Sequence, residues 1–503
     1  MISERLRPPH AFSWFAIALG VIFLGSLLLR LWRIEQFNTL VFDEIYYPVF
    51  ANRYLTGQFV YNSHPPLSQT LMAVGMWLAS GFPAEPDVIN GLTGSMRSTF
   101  SYRWLNAIAG AAVPVVGGLI AYHLSQRRSL GITAALLLAL DGLLLVESRY
   151  GLNNIYLLLF GLLGHLALLQ GLSDRPRPTV IMRRVRWFRD YRGARFPQLR
   201  RFSDWVSDRL RTRRPLKPGD YFTLAGFWLG CAAAVKWNGL GFLLAIYGLW
   251  AIVLMLNWLT PQAISFPCNR LANLTPLNMA LYFGLVPLLT YGIAWVPHLL
   301  LNPHPNLWEV HRQILAFHHA VGSGAGVHPY CSPWFSWLLM WRPVAYFYAT
   351  ARNFSETVPA YPALPQAAVN VVYDVHGMGN PILWWGATAA IIILLIQVWR
   401  DRPGDRGIGL YLLISYGANL LPWANVSRCA FLYHYMAALV FAILALAYCC
   451  DRLCWQGSPS RWPWGVGIIT LCTVAFWFWS PLYLGLPLSP ESYQLRMWFS
   501  HWI

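Results

Sequence analysis

The chain has 503 residues, of which 56% are hydrophobic and only 11% are charged, and its formal net charge is +17. Soluble domains usually carry about 25% charged residues, so the composition excludes a string of ordinary soluble domains. The 26 Trp and 25 Tyr residues suit the interface between membrane and water. We therefore predict one polytopic membrane domain, residues 1–503, with an all-α integral membrane fold.

Eleven apolar segments have close to the length of about 20 residues that a helix needs to cross the hydrocarbon. They lie near 13–32, 101–123, 130–148, 153–172, 220–237, 239–259, 277–300, 381–399, 408–424, 431–450 and 464–484. The first segment runs into Arg30 and Arg33 without a small-residue cleavage site, which favours a membrane span over a cleavable signal. These segments predict a bundle of about eleven transmembrane helices.

The basic residues predict the orientation of this bundle. Residues 173–219 hold fifteen Arg and Lys residues against four Asp residues. The positive-inside rule places such a segment in the cytoplasm, and the short basic connectors 126–128 and 400–402 then lie on the same side. The N-terminus is then cytoplasmic, whereas a first loop (33–100) and a long loop (301–380) face outward. Because no nucleic-acid module accompanies the basic loop, we expect it to contact anionic lipid and no nucleic acid.

The apolar stretch 66–80 is short for a membrane crossing. Counting it as a span would move the basic segment 173–219 to the outside. We therefore predict that it forms an interfacial helix of the first outer loop. With this topology, polar residues at several span ends gather on the outer side, which predicts an active site there.

Asp43 and Glu44 follow the first span by about ten residues. An acidic pair held at the membrane edge is costly unless it has a use. Asp43 could simply cap a short helix over 45–55, since Asp is a favoured N-cap. The adjacent Glu44 and the nearby His64 favour a catalytic role instead. A carboxylate here could accept the proton of an attacking hydroxyl as a general base.

Three cations stand at outward-facing ends of spans, namely Arg149, Lys236 and Arg428. Each could merely extend toward the lipid head groups. Small residues surround Lys236, so we predict that it faces a cavity rather than lipid. Cations beside a carboxylate pair are suited to a phosphate leaving group next to a base. Glu147 would position Arg149 or contact an acceptor, whereas Asp141 would be hydrogen-bonded within the bundle.

Histidines and cysteines carry weaker signals. His304, His311 and His318 recur every seven residues, which favours one helix face along an acceptor groove over a metal site. The eight Cys residues are scattered, and we interpret them as structural. We predict no metal site and no required cofactor, although a divalent cation would be compatible with a phosphate substrate.

Several short segments between residues 42 and about 450 form a recognisable series. They are Phe42-Asp43-Glu44 with His64-Pro65-Pro66-Leu67, Asp141-Gly142-Leu143 through Glu147-Ser148-Arg149, Val235-Lys236-Trp237-Asn238-Gly239-Leu240, His328-Pro329-Tyr330-Cys331-Ser332-Pro333-Trp334, Trp341-Arg342-Pro343, Gly379-Asn380-Pro381-Ile382-Leu383-Trp384-Trp385 and Phe431-Leu432-Tyr433-His434-Tyr435. In this order, the segments resemble those of the protein O-mannosyltransferase family. The bacterial branch is most similar, because residues 301–380 leave no room for the large soluble insert of the eukaryotic members.

The resemblance implies a GT-C fold in the plasma (inner) membrane. It also implies inverting transfer of mannose from polyprenyl-phosphate-mannose to Ser or Thr hydroxyls of secreted or membrane proteins, on the extracytoplasmic face. Asp43 would be the catalytic base and Glu44 its neighbour in acceptor positioning. Arg149 would bind the donor phosphate, with Lys236 and Arg428 as helpers. The predicted substrate-binding residues are His64, Glu147, Asn238, His328 and Tyr330.

One departure from the family pattern concerns Asn153 and Asn154, which stand where bacterial relatives often have an Asp. Three other functions remain open. A GT-C enzyme that glycosylates a lipid would share the acidic pair but lack the segments around Lys236 and His328. A transporter should show inverted repeats and charges near the middle of the membrane. A structural scaffold would leave the clustered outer charges unexplained.

Overall fold

Long apolar helices dominate the computed structural model of the chain. The structure describes residues 14–61, 63–84, 89–91, 97–173, 217–260, 263–351, 370–456 and 459–503. Most of the predicted basic loop 173–219 lies outside these described residues. In the described part, seven helices are long and apolar enough to cross a membrane, or eight if one sharply bent pair forms a single span.

A helix lies at each of the eleven predicted segments, and further helices lie in the loops between them. In chain order the helices are α1 (Trp14–Leu31), α2 (Tyr47–Thr56), α3 (Leu67–Ala79), α4 (Thr99–Ser125), α5 (Arg128–Ala139), α6 (Gly142–Arg149), α7 (Asn154–Gly171), α8 (Pro218–Val235), α9 (Leu240–Leu259), α10 (Pro276–Leu301), α11 (Leu307–Ala320), α12 (Pro381–Gln397), α13 (Pro403–Leu420), α14 (Met436–Asp451), α15 (Trp462–Leu484) and α16 (Pro490–Gln494).

The third predicted segment, 130–148, is not the single helix that we expected. It forms α5 and α6, which meet at an angle of 61°. Asp141 lies at the break, where its Oδ1 accepts a hydrogen bond of 2.9 Å from the backbone N–H of Leu144. This side chain caps α6 and so offers the backbone an alternative to a continuous helix. The prediction that Asp141 is hydrogen-bonded within the bundle is confirmed.

The expectation of an all-α fold was wrong in the two long loops, 33–100 and 301–380. Strand β3 (Val344–Ala351) pairs antiparallel with β4 (Val371–Gly377) in the long loop, and a two-residue pair, β1 (Ile89–Asn90) with β2 (Arg97–Ser98), lies in the first loop. Both longer strands are rich in β-branched and aromatic residues, which favour extended backbone. Seven or eight such residues are too few to have been detected as a membrane span, so the hairpin was missed.

Helix α14 forms the centre of the bundle. It is buried along almost its whole length and packs against α5, α12 and α13. By contrast, α1 and α10 expose large apolar side chains, including Leu28 at 69% and Leu300 at 78%. Apolar faces of this extent suit contact with lipid rather than water.

The basic connectors predicted to share one side of the membrane both form ion pairs with residues 451–452, at the end of α14. Arg127 forms an ion pair of 3.0 Å with Asp451, and Arg452 forms one of 2.9 Å with Asp401. Asp451 is the last residue of α14, whose first residue is Met436. A helix rises about 1.5 Å per residue, so these ion pairs lie roughly 24 Å from the residues at the Met436 end of α14.

A disulfide bond, Cys331–Cys429, joins the long loop 301–380 to the segment that precedes α14. The two cysteines are 98 residues apart, and the sequence alone did not pair them. Backbone hydrogen bonds reinforce the junction, because Ser332 N donates to Ala430 O at 2.8 Å and Cys429 N donates to Gly322 O at 2.7 Å. The bond therefore fixes the start of the segment that leads into α14.

Candidate active site

Asp43 lies in a short helical turn, Phe42–Ile45, after the first span. The alternative that it caps the following helix was wrong, because α2 begins at Tyr47 and Tyr46 occupies its N-cap position. The Asp43 carboxylate is half-buried and accepts no hydrogen bond from the residues that the structure describes. Burial raises its pKa to about 6, and the positive charge of Lys236 opposes that rise. Asp43 is thus available to accept a proton.

Glu44 has a different environment from its neighbour. It is fully buried and forms a two-bond ion pair with Arg103, at 2.7 and 2.8 Å. It also accepts hydrogen bonds from the backbone N–H groups of Val41 and Gly151. These contacts anchor the turn that carries Asp43, whereas a role of Glu44 in acceptor positioning stays a prediction. Arg103 was missed, although an Arg within an apolar segment signals a buried partner.

Lys236 follows the last residue of α8 and is buried at 5% exposure. Its Nζ donates to Asn154 Oδ1 at 3.3 Å and lies 3.4 Å from His434 Nε2. The ammonium also stands 5.4 Å from the centre of the Tyr433 ring. It has no carboxylate in direct contact within the described part of the chain, so its charge remains available to an anion.

A cavity of about 460 Å³ opens beside Lys236, which confirms the prediction that this residue faces a cavity. Its lining includes three further residues that the sequence predicted for the site, His64, Asn238 and Arg428. The rest of the lining is mainly apolar and includes Leu240, Leu244, Ala418, Pro422 and Val426. A cavity with clustered cations and an apolar wall can hold an anionic group attached to a hydrocarbon chain.

His64 and Asn238 bring neutral polar groups to this cavity. Burial lowers the pKa of His64 well below its usual range, and the charge of Lys236 lowers it further. The imidazole is therefore neutral and adds no positive charge. Asn238 Oδ1 is buried without a hydrogen-bond partner in the described residues. Such an unpaired oxygen is suited to a hydroxyl group of a bound ligand.

Glu147 is fully buried, is not among the residues that line the cavity, and accepts hydrogen bonds from two side chains. Its Oε1 accepts a hydrogen bond from the Tyr346 hydroxyl, and its Oε2 accepts one of 3.2 Å from Asn154 Nδ2. Asn154 accepts the bond from Lys236 through its other amide atom. Asn154, one of the two Asn residues noted as a departure from the family pattern, therefore bridges a carboxylate and an ammonium. An Asp here could not donate to Glu147.

Arg149 lies apart from the cavity lining. Its Nη1 donates to the carbonyl oxygens of Leu29, Arg30 and Trp32 at 2.8 to 3.0 Å. These carbonyls are the unpaired acceptors at the C-terminal end of α1, where a cation is favourable. The contacts are those of a helix cap, and a role in binding a donor phosphate stays a prediction.

His328 and Tyr330 lie at the disulfide rather than in the cavity lining. His328 Nδ1 accepts a hydrogen bond of 3.2 Å from Tyr330 N, and the guanidinium of Arg342 stands 5.1 Å from the Tyr330 ring. Arg428, which lines the cavity, precedes Cys429 and donates to its carbonyl at 3.0 Å. The disulfide thus connects the loop of His328 and Tyr330 to a cation of the cavity.

The prediction that three histidines share one helix face is only partly correct. Helix α11 contains His311 and His318, whereas His304 precedes it. His318 lines the cavity, and its ring centre lies 5.2 Å from that of His64. His311 instead lies 2.7 Å from the hydroxyl of Tyr291. The cis bond between His304 and Pro305 belongs to the segment that leads into the helix.

Two family models match the chain. Residues 20–184 match the family described as dolichyl-phosphate-mannose-protein mannosyltransferase, and residues 303–502 match the C-terminal four-TMM region of protein-O-mannosyltransferase. The two matches together take in more than two thirds of the chain.

Bacterial proteins of the same kind are similar over most of their length. The chain is 25% identical to the polyprenol-phosphate-mannose–protein mannosyltransferase of Mycolicibacterium smegmatis, over 92% of this chain and 88% of that one. It is 26% identical to the protein of that name from Corynebacterium glutamicum, over 87% and 81%.

Solved structures show a shared fold. The Saccharomyces cerevisiae protein O-mannosyltransferase Pmt1-Pmt2 complex bound to the sugar donor matches with a TM-score of 0.72 at 13% identity, over 98% of this chain and 93% of that one. The Archaeoglobus fulgidus oligosaccharyltransferase matches with a TM-score of 0.52 at 14% identity, over 97% and 57%. These neighbours support the GT-C type of fold, and with the family matches they lead to one conclusion. The chain belongs to the protein O-mannosyltransferase family of glycosyltransferases.

Proposed function

We propose that the protein transfers mannose from polyprenyl-phosphate-mannose to Ser or Thr hydroxyls of secreted or membrane proteins, with inversion. The names of the bacterial relatives support this donor and a protein acceptor. Asp43 is not among the residues that line the cavity, whose cations are Lys236 and Arg428. The observation that carries the proposal is that Lys236 and the turn of Asp43 contact the same ring: the Lys236 ammonium lies 5.4 Å, and the ring centre of Phe42 lies 5.9 Å, from the ring centre of Tyr433. The base and a cation of the phosphate site thus flank one aromatic side chain.

The chemistry follows from these groups. The acceptor hydroxyl is a weak nucleophile, so Asp43 takes its proton as the oxygen bonds to the anomeric carbon of mannose. The bond from that carbon to the phosphate oxygen breaks in the same step, and polyprenyl phosphate leaves as an anion. Lys236 and Arg428 stabilise the developing negative charge. A single displacement inverts the anomeric centre. The apolar wall of the cavity suits the beginning of the polyprenyl chain.

Direct transfer with purified protein tests this proposal. The protein in detergent is incubated with radiolabelled polyprenyl-phosphate-mannose and a Ser/Thr-rich peptide. We expect label in the peptide, and we expect Asp43→Asn to lower kcat by about 10²- to 10⁴-fold, the usual contribution of a general base. An unchanged melting temperature of the variant shows that it is folded. Label in a lipid acceptor and none in the peptide would show that the acceptor is a lipid and not a protein. Full activity of Asp43→Asn would exclude Asp43 as the base.

We further propose that eleven helices cross the plasma membrane, with the N-terminus inside and the active site on the extracytoplasmic face. Helices at all eleven predicted segments support the count, and α3 is then an interfacial helix of the first outer loop. The ion pairs between the basic connectors and the disulfide near Arg428 support the orientation, because disulfides persist in oxidising compartments.

Thiol labelling of intact cells tests the orientation. Single cysteines introduced at Ser323 in the long loop and at Ser460 before α15 are treated with a membrane-impermeant maleimide, after the other thiols have been removed by substitution. We expect labelling at position 323 without lysis and at position 460 only after lysis. The reverse pattern would invert the topology and move the site to the cytoplasm.

No cofactor is required in this proposal, because the fixed cations of the cavity can neutralise the leaving phosphate. Activity should therefore persist in excess EDTA. A loss of activity that Mg²⁺ or Mn²⁺ restores would show that a divalent cation takes part.

A further inference from the structure

Tyr346 occupies an irregular position in the β3–β4 hairpin. Ala345 pairs with His376 and Phe347 pairs with Val375, so Tyr346 is an extra residue in β3, a β-bulge. Bulges often turn a side chain toward a functional site. Tyr346 is 5% exposed, and Gly377 gives its ring room, because a Cβ at that position would lie 2.5 Å from the ring. The hairpin is therefore shaped around this side chain.

The ring of Tyr346 stacks on Phe42, the residue before Asp43. The two ring centres are 4.2 Å apart and the planes differ by 11°. Phe42 has a φ of 51°, in the left-handed region that a bulky side chain rarely adopts. Such a conformation persists only where the surroundings hold it. The stacking is one contact that holds it, and Tyr433 adds an edge contact at 5.9 Å.

The hydroxyl of Tyr346 begins a continuous chain of polar contacts. It donates to Glu147, which accepts from Asn154, which in turn accepts from Lys236. The chain is buried, so each group depends on the next for its hydrogen bonds. A change in the Tyr346 hydroxyl is thus transmitted toward the ammonium of the cavity.

We propose that Tyr346 is a positioning residue of the transferase site: its ring fixes the turn that carries Asp43, and its hydroxyl fixes the polar chain that ends at Lys236. The inference rests on the proposed function, since it assigns separate steps of that reaction to the two parts of one side chain. The ring acts on the base and therefore on kcat. The hydroxyl acts, through two other side chains, on a cation that already binds the single negative charge of the intact donor's phosphate, and therefore mainly on the KM of the donor.

Two substitutions separate these parts. Tyr346→Phe keeps the ring and removes the hydroxyl, whereas Tyr346→Leu removes both. Tyr348→Leu is the matched control, because Tyr348 lies two residues further along the same strand and is 55% exposed. Purified variants are assayed for kcat and for the KM of polyprenyl-phosphate-mannose, with a Ser/Thr-rich peptide as acceptor, and their melting temperatures are recorded.

We expect Tyr346→Phe to raise the donor KM severalfold and to leave kcat within about twofold of the wild type. Tyr346→Leu should raise the KM similarly and also lower kcat by about tenfold or more, as expected when a base is misplaced. Tyr348→Leu should change neither value by more than about twofold. A general loss of stability would not change KM in one variant and both KM and kcat in the other. It would also give no reason for Tyr346→Phe to keep the wild-type kcat that Tyr346→Leu loses.

Some results would overturn the inference. One is a kcat for Tyr346→Leu that equals the wild-type value in a folded protein, and another is an equal loss of kcat in the Phe and Leu variants. If Tyr346→Leu does not fold, Phe42→Leu tests the same stacking from the other partner and should lower kcat alone. A wild-type protein that transfers no mannose would refute the proposed function instead, so the two failures are distinguishable.

Discussion

Asp43 and Glu44 are adjacent in the chain but differ in what surrounds them. Glu44 is saturated by Arg103 and two backbone N–H groups, whereas Asp43 is left without a hydrogen bond in the described residues. Two carboxylates in a row can therefore have separate tasks, one holding the turn and one accepting a proton. The sequence identified the pair as important, but it could not divide the tasks between them.

The pH dependence of kcat/KM follows from the raised pKa of Asp43, which is about 6 in the protein without donor. As the pH falls through this value the carboxylate takes up a proton and can no longer accept one, so kcat/KM should fall. Lys236→Gln removes the charge that opposes the rise, and the acid limb should then move to higher pH. The profile is measured at donor concentrations well below KM. A limb at the same pH in both proteins would show that another group titrates.

Substitution of Glu44 should act mainly on stability. Glu44→Gln leaves the buried Arg103 without its charge partner, which costs about 3–5 kcal/mol for a buried pair. We expect a lower melting temperature in detergent. Asp43→Asn should change the melting temperature little, and it serves as the neighbouring control. A stable but inactive Glu44→Gln would instead give Glu44 a direct part in the reaction.

Some single residues of this site could be predicted from the sequence, because a charged residue in an apolar segment is costly unless it faces a polar partner or a cavity. Lys236 stands among small apolar residues, and the structure places it at the cavity. Tyr346 carries no comparable signal, because a Tyr in a long loop is common, and Asn154 was noticed only as a departure from the family pattern. Their importance comes from contacts with residues about 200 positions away or on other helices, which spacing along the chain cannot reveal.

At the scale of elements, the site is built from the ends of helices and one hairpin. Lys236 follows α8, Glu147 lies near the end of α6, and Asn154 begins α7. The length of the apolar segments predicted helices at these places, with α6 taken as part of a single span over 130–148. It did not predict the bend between α5 and α6, since the break depends on one capping side chain, Asp141.

Arg149 could act as a cap of helix α1 or as a residue that binds the donor phosphate, and substitution distinguishes these two roles. Its guanidinium donates to several carbonyls at the end of α1, and one ammonium group cannot replace that geometry. We therefore expect Arg149→Lys to lower the melting temperature and to change the donor KM little in the protein that remains folded. A higher KM at an unchanged melting temperature would support phosphate binding instead. Arg428→Lys, at the cavity, is the comparison variant.

For the whole molecule, the two ends of the bundle have opposite character. Arg127, Asp451, Arg452 and Asp401 form ion pairs at one end, whereas the other end carries the base, the cavity and the disulfide. The charge distribution of the sequence predicted this division. The pairing of Cys331 with Cys429 was not predictable in the same way, because six other cysteines compete for each.

Loss of the disulfide should weaken both stability and donor binding. A loop of about 100 residues gives about 4.7 kcal/mol in the chain-entropy description of a crosslink, an upper value for a protein held by a membrane. We expect Cys331→Ser with Cys429→Ser to lower the melting temperature and to raise the donor KM, because Arg428 loses its fixed neighbour. Cys472→Ser is a control, since Cys472 is a buried free thiol. An unchanged donor KM would show that the disulfide bond does not influence donor binding in the cavity.

The separation of 98 residues between the two bonded cysteines also has a consequence in time. At about 5–20 residues per second, a ribosome adds Cys429 roughly 5 to 20 seconds after Cys331. In that interval α12 and α13 are synthesised, and Cys331 cannot yet form its native disulfide bond. Arg428 is added to the chain immediately before Cys429. A nascent chain therefore has an incomplete donor cavity until most of its length has been made, and the neighbour of Arg428 becomes fixed only when the disulfide forms.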